Sequence, residues 1–140
     1  MGIRNTRAST RKALGIVLAA YRALSARDVE SLAELVSPDV VWGGPDNPLI
    51  PSAGTRQGMA GMFECLRIGD ATETIVALEP KRFLAEDDMV AVIGHTRVTA
   101  TPTGNTYETD FVHLVTIADG RITRFQEFFD TYVAAEAFRR

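Results

Sequence analysis

The chain has 140 residues, of which 46% are hydrophobic and 24% charged, and carries a net charge of −3. That length and balance describe one soluble globular domain with room for a core and a cavity. The negative charge and a pI near 5.4 exclude a nucleic-acid binder, because no face carries enough cations to displace counterions. Cys65 is the single cysteine, which excludes an intramolecular disulfide and a cysteine zinc cluster and fits a reducing cytoplasm.

In chain order, the basic cluster Arg4, Arg7, Arg11 and Lys12 reads as a solvated N-terminus, with residues 1–8 a flexible tail. No apolar run follows soon enough to make a signal peptide, and LGIVLAAY is too short to span a bilayer. Gly2 and Thr6 meet the loose myristoylation pattern, a match short enough to arise by chance. The expectation is a cytoplasmic domain with no membrane partner.

Ser9 or Thr10 can cap a helix to about Ser25, on which Leu14, Val17, Leu18, Tyr21 and Leu24 form an apolar stripe. Asp28 caps a shorter helix carrying Leu32, Leu35 and Val36, and Pro38 stops it. DVVW (39–42) reads as a short strand, followed by the turn-rich loop GGPDNPLIPSAG. A third helix starts near Thr55, presents Met59, Met62, Phe63 and Leu66, and ends at Gly69. From Thr74 onward the texture turns β-branched, with turn signals at 86–88, 102–105 and 118–121. Four antiparallel strands are predicted over 74–84, 89–101, 106–117 and 121–130, and TYVAAEAFRR supplies a last helical turn or two. The prediction is a single α+β domain of three helices packed on a strongly curved, mostly antiparallel sheet.

Side chains alternate across a strand. On the last strand Asp130 shares a face with Phe128, Gln126 and Arg124, while Phe129, Glu127 and Phe125 face the other way. Both faces are partly aromatic, so both should be covered, one by the interior and one by a second subunit. On the second strand His95, Arg97 and Thr99 form a polar strip. If this strip faces the same cavity as Asp130, Arg97 is the carboxylate's natural partner. The competing reading makes Asp130 the N-cap of the helix after it and lets Arg97 reach solvent. His113, between Phe111 and Val115, reads as a core or interface histidine, and Cys65 as core. No metal-ligand spacing, nucleophilic triad or phosphate loop is present in the sequence.

The order ALGIVLAAYRALSARDVESLAELV, PDVVW, PSAGTRQGMAGMF, TPTG and DGRITRFQEFFD resembles the SnoaL-like branch of the NTF2-like superfamily over about residues 10–135. That branch holds polyketide cyclases, ketosteroid isomerases and limonene-epoxide hydrolases. The resemblance implies a cone-shaped α+β barrel with a deep apolar pocket, often dimeric, whose enzymes need no cofactor. DGRITRFQEFFD is similar to the closing strand of both the cyclases and the epoxide hydrolases, and both comparisons place the acid/base carboxylate on Asp130. TRVTATPTG resembles the hydrolase strand bearing the arginine and second aspartate, which fall on Arg97 and Thr99. The tyrosine and asparagine that hold the hydrolase water fall on Trp42 and Gly44, so that chemistry is not retained. The ketosteroid isomerase positions fall near Gly44, Val112 and Ala20, which cannot replace them. The resemblance therefore implies Asp130, Arg97 and His95 as the catalytic set, in a pocket lined by Trp42, Tyr21, Phe63, Thr99, Leu114 and Phe128. A hydrophobic carbonyl compound, polyketide- or terpenoid-like, would undergo cyclisation, isomerisation or dehydration by proton transfer. Epoxide hydrolysis with a degraded set and non-catalytic ligand binding are the alternatives. A binding protein would have Asp130 capping the last helix and facing away.

Overall fold

A computed structural model describes residues 6–140, with side chains from residue 8. Arg4, Gly2 and the greater part of the expected tail lie outside the described residues. The elements run α1 (Thr6–Ala26), α2 (Val29–Glu34), β1 (Val36–Gly43), β2 (Thr55–Gln57), α3 (Gly58–Thr72), β3 (Glu73–Glu86), β4 (Met89–Ala100), β5 (Asn105–Ala118), β6 (Arg121–Phe129) and α4 (Thr131–Phe138). The strands form one six-stranded sheet in the order β2-β1-β6-β5-β4-β3. Only the β1–β6 pairing is parallel. Among the described residues no helix is long and apolar enough to cross a membrane.

Local chemistry explains most boundaries. Asp28 caps α2, its Oδ1 accepting from the Ser31 amide at 3.1 Å while the Ser31 hydroxyl donates to Oδ2 at 2.6 Å. Helix α1 starts at Thr6, before the expected Ser9 or Thr10 cap, and buries Ala13, Val17, Ala20 and Tyr21. Leu18 turns outward instead of joining that stripe. Pro38 sits inside β1 and does not act as a helix stop; it falls where the pairing with β6 shifts between Val36 and Val41, so its missing N–H breaks no ladder bond there. The expected start of the third helix at Thr55 is instead the short strand β2, with α3 beginning at Gly58.

The inner face of the sheet is set by register. On β4 the buried residues are Val90, Val92, Val98 and Ala100, and on β5 they are Thr109, Phe111, His113, Val115 and Ile117. On β6 the buried pair is Ile122 and Phe125, three apart rather than two. The cause is a bulge: Ile122 pairs with Ile117 and Arg124 with Thr116, leaving Thr123 extra. One extra residue reverses the facing of everything after it.

Two apolar clusters line the inner face. The larger joins Val17, Tyr21, Leu32, Trp42, Met62, Phe111 and Phe125 among others, from the first three helices and four strands. The smaller joins Ile50 and Ala100 to Ala134, Ala135, Ala137 and Phe138 of α4. Phe129 packs against both. Gly94 lies directly against Phe111 of the larger cluster. A Cβ there would lie 2.4 Å from Phe111 Cζ and 2.5 Å from the Glu79 carbonyl oxygen, and the latter is backbone that cannot swing away. Gly94→Ala should therefore cost about 1–3 kcal/mol as an overpacking change. Chemical denaturation checks this, and an unchanged midpoint would contradict the packing.

Candidate active site

The inner face carries polar groups among its apolar ones. The Tyr21 hydroxyl on α1 lies 2.5 Å from His113 Nδ1 on β5, and His113 Nε2 lies 2.8 Å from Glu127 Oε2 on β6. His113 and Glu127 are cross-strand partners in the β5–β6 register, which the Thr123 bulge makes possible. The imidazole is fixed on its faces as well. Phe111 stacks on it at 4.2 Å, Phe125 lies tilted at 4.8 Å, and Phe125 in turn stacks on Trp42 at 4.2 Å. Burial first, then the charge of Glu127, pushes the Tyr21 hydroxyl far above its ordinary range. Tyr21 thus keeps its proton and donates it to Nδ1, which leaves Nε2 to carry the ring proton and donate to Glu127.

Glu127 differs from its neighbours. The His113 side chain is 6% exposed, whereas that of Glu127 is 42% exposed although it points to the inner side. Its charge also acts on Cys65, Glu73 and Tyr107. These groups, from α3, β3 and β5, therefore lie within reach of the Glu127 charge. Burial raises the Glu73 carboxyl above the usual carboxylate range, partly offset by the Ser52 hydroxyl, which donates to Oε1 at 2.7 Å. Burial likewise raises the Cys65 thiol, against the nearby Arg56 guanidinium, and the Tyr107 phenol. Arg56 itself donates to the carbonyls of Ser52, Ala53 and Gly54 and so holds the loop before β2 in place. An open groove of about 540 Å³ is lined by Leu18, Tyr21, Arg22, Pro80 and Phe83 and includes none of these carboxylates. Among the described residues no group of His, Cys, Asp and Glu side chains is placed to hold a metal ion.

The expected catalytic set falls elsewhere. Asp130 is exposed and caps α4, its Oδ1 accepting from the amides of Tyr132 at 3.0 Å and Val133 at 3.3 Å. Arg97 is exposed. His95 lies between Asp110 at 2.9 Å and Glu108 at 3.2 Å, whose hydrogen bonds, that to Asp110 foremost, raise its pKa. Thr99 bonds Thr106 across the strands at 2.8 Å. Asp130 and the strip of Arg97, His95 and Thr99 do lie on one face, the condition set for their pairing, but it is the outer face. Phe128, 47% exposed, and Leu114 lie on that face too, and Phe63 is exposed on α3. Of the expected pocket lining only Trp42 and Tyr21 are on the inner side, both buried. His113 fits the core reading by its burial and exceeds it by its partners. The overlooked residues are Glu127, Glu73 and Tyr107. A signal existed for Glu127, which alternates in phase with Phe125 and Phe129 on an aromatic face. The capping role predicts that Asp130→Ala costs about 0.5–2 kcal/mol of stability and leaves any activity of the folded protein intact. Thermal melts beside an activity assay check this, and a loss of activity in the folded variant would return Asp130 to the site.

Residues 17–125 match the SnoaL-like domain. The chain belongs to the SnoaL-like family. An uncharacterized Mycobacterium tuberculosis protein is 30% identical over 129 residues, 89% of this SnoaL-like chain and 94% of its own. An NTF2-like protein from Burkholderia xenovorans LB400 superposes with a TM-score of 0.87 at 28% identity, covering 94% of this chain and 98% of the other. TerC, co-crystallised with polyporic acid, superposes with a TM-score of 0.82 at 32% identity over 91% of this chain and 98% of its own. The α+β cone expected of SnoaL-like proteins is thus the fold observed.

Proposed function

We propose that this SnoaL-like protein catalyses proton transfer at a carbon next to a carbonyl in a hydrophobic small molecule, with Glu127 as the base. The observation that carries the reading is the state of the Glu127 side chain. One oxygen is held by a buried histidine, yet the side chain is 42% exposed on the inner face of the sheet. Its Oε1 has no hydrogen-bond partner among the described residues and can take a proton, while His113, held by Tyr21, keeps the carboxylate aimed. When the C–H bond breaks, the proton goes to Oε1 and the electron pair forms an enolate. Return of the proton to a different carbon isomerises the substrate, and return to the same carbon exchanges it. Placement of the base by such a network contributes about two to four orders of magnitude in rate. Trp42, Phe111, Phe125 and Phe129 supply the apolar walls. The relation to TerC, co-crystallised with polyporic acid, supports an organic ligand for this chain.

The test is exchange of the acidic α-hydrogens of 2-tetralone in deuterated water, followed by proton NMR. The protein should accelerate it; no acceleration for 2-tetralone or a panel of other aryl ketones overturns the reading.

The outer face carries the second half of the proposal, a homodimer. Phe128 is exposed and Ile93, Val112 and Leu114 are half-buried on that face, an apolar field rimmed by His95, Arg97 and Glu108. A stable pair would bury about 1,600 Å² in total. Light scattering at micromolar concentration should give twice the 15.3 kDa chain mass, falling to the single mass in Phe128→Asp. A single mass in the unaltered protein refutes it.

A further inference from the structure

The last turns of α1 carry a cation with nothing to answer it. Leu18, Arg22, Ser25 and Ala26 recur at helical spacing and form one stripe. Together with Tyr21, and with Pro80 and Phe83 of β3, they line the open groove of about 540 Å³. Small-molecule sites occupy about 300–1,000 Å³, so the groove is of ligand size. Leu18 is 40% exposed there, an apolar side chain left to water. Tyr21 and Phe83 meet edge to face at 6.2 Å and 90°, so two aromatic surfaces at right angles bound the groove. The Tyr21 hydroxyl is taken by His113, which leaves the groove its ring.

The polar part of the lining is cationic. Among the described residues the side chains of Arg22 and Ser25 have no hydrogen bond or ion pair, whereas Arg27, just past the helix, is held by Asp70. Helix α1 contains no Asp or Glu along its length. The carboxylates next to the lining residues in sequence are placed elsewhere. Asp28 caps α2 on the Ser31 amide and hydroxyl, and Glu79 is the cross-strand partner of His95 on the outer face. Lys81, looped out of the pairing between Pro80 and Arg82, adds a second exposed cation beside Pro80.

We propose that this groove is a second ligand site that takes a flat aryl carboxylate, its ring against Tyr21, Phe83 and Leu18 and its carboxylate on the Arg22 guanidinium. A guanidinium meets a carboxylate in two parallel hydrogen bonds, and the Ser25 hydroxyl, one turn along the stripe, can donate a third. A neutral ring compound gains the apolar contacts alone. A nucleic-acid strand needs a row of cations, and only Arg22 lines the groove. The site stands independently of the proton-transfer reading of Glu127.

The experiment titrates the unaltered protein at neutral pH with 2-naphthoate and with 2-naphthalenemethanol, the same ring system bearing a neutral group. Binding is followed at the backbone amides by nitrogen–proton correlation NMR. Both ligands should shift the amides of Leu18, Arg22, Ser25 and Phe83. The carboxylate should bind about threefold to fivefold more tightly, as expected of one exposed ion pair. Arg22→Gln should abolish that preference without changing the affinity for the alcohol. Arg11→Gln, which removes the same charge from the same helix outside the groove, should retain it. Leu18→Asp should weaken both ligands. The same spectra report the fold of each variant, and if Leu18→Asp does not fold, the comparison of Arg22→Gln with Arg11→Gln decides. Equal affinity for the two ligands, a preference that survives Arg22→Gln, or an equal loss in Arg11→Gln overturns the inference. So does undiminished binding in a folded Leu18→Asp, no saturable shift with naphthoate, or shifts confined to Trp42, His113 and Glu127 of the inner face.

Discussion

Glu127→Gln should lower proton-exchange turnover by about two to four orders of magnitude and leave the fold in place. The amide has the shape of the carboxylate, and its oxygen can still accept from His113 Nε2, now held at 2.8 Å. What it lacks is the basicity to take a proton. The side chain is 42% exposed, so the change leaves no buried charge unpaired and its stability cost should be small. The comparison with Asp130→Ala sharpens the result. The two carboxylates stand three residues apart at one strand end, one hydrogen-bonded to His113 and the other the N-cap of α4. If Glu127→Gln retained full exchange activity while Asp130→Ala abolished it, the assignment would reverse.

Phe111→Ala should be the most damaging single truncation in the core, at about 3–5 kcal/mol. Phe111 is 2% exposed, its ring covers the site where Gly94 has no side chain, and its face stacks on His113. Removing it opens a cavity that Gly94 cannot fill and frees the imidazole to tilt away from Glu127. Against a typical domain stability of about 5–15 kcal/mol, the expected fall in Tm is on the order of 10–20 °C. Circular dichroism melts check this; a drop of only a degree or two would mean that the Phe111 ring does not carry the inner layer. Any residual activity should fall more than the folded fraction does, because His113 positions Glu127.

The parts of the fold that the sequence made legible are those written in local chemistry. The turns expected at 86–88, 102–105 and 118–121 appear with positive φ at Asp87, Gly104, Asp119 and Gly120, residue types that tolerate that conformation. Asp28 could be read as a cap because its partner Ser31 is three residues on. Strand β2 escaped because Thr55, Arg56 and Gln57 have no periodicity in three residues and are ordered by pairing with Val41, Trp42 and Gly43. The site was half legible. Alternation grouped Asp130 with Phe128, Gln126 and Arg124, His95 with Arg97 and Thr99, and Glu127 with Phe125 and Phe129, as the strands have them. It could not tell which group faced inward, because that depends on contacts with α1 and α3. His113 carried no local sign of its role, since its partners come from residues 92 positions earlier and 14 later.

The extra residue at Thr123 has a consequence for how relatives should be compared. Counting outward from the Asp119–Gly120 turn along a regular hairpin would send Asp130 inward and Glu127 outward. Counting backward from the N-cap of α4 gives the opposite, and true, assignment. Two homologues that align without gaps through FQEFFD can therefore present different carboxylates to the interior if one pairs its hairpin without a bulge. Within such a lineage, shifting where a single residue is looped out would move the inward-facing carboxylate from one position to another with no change of composition.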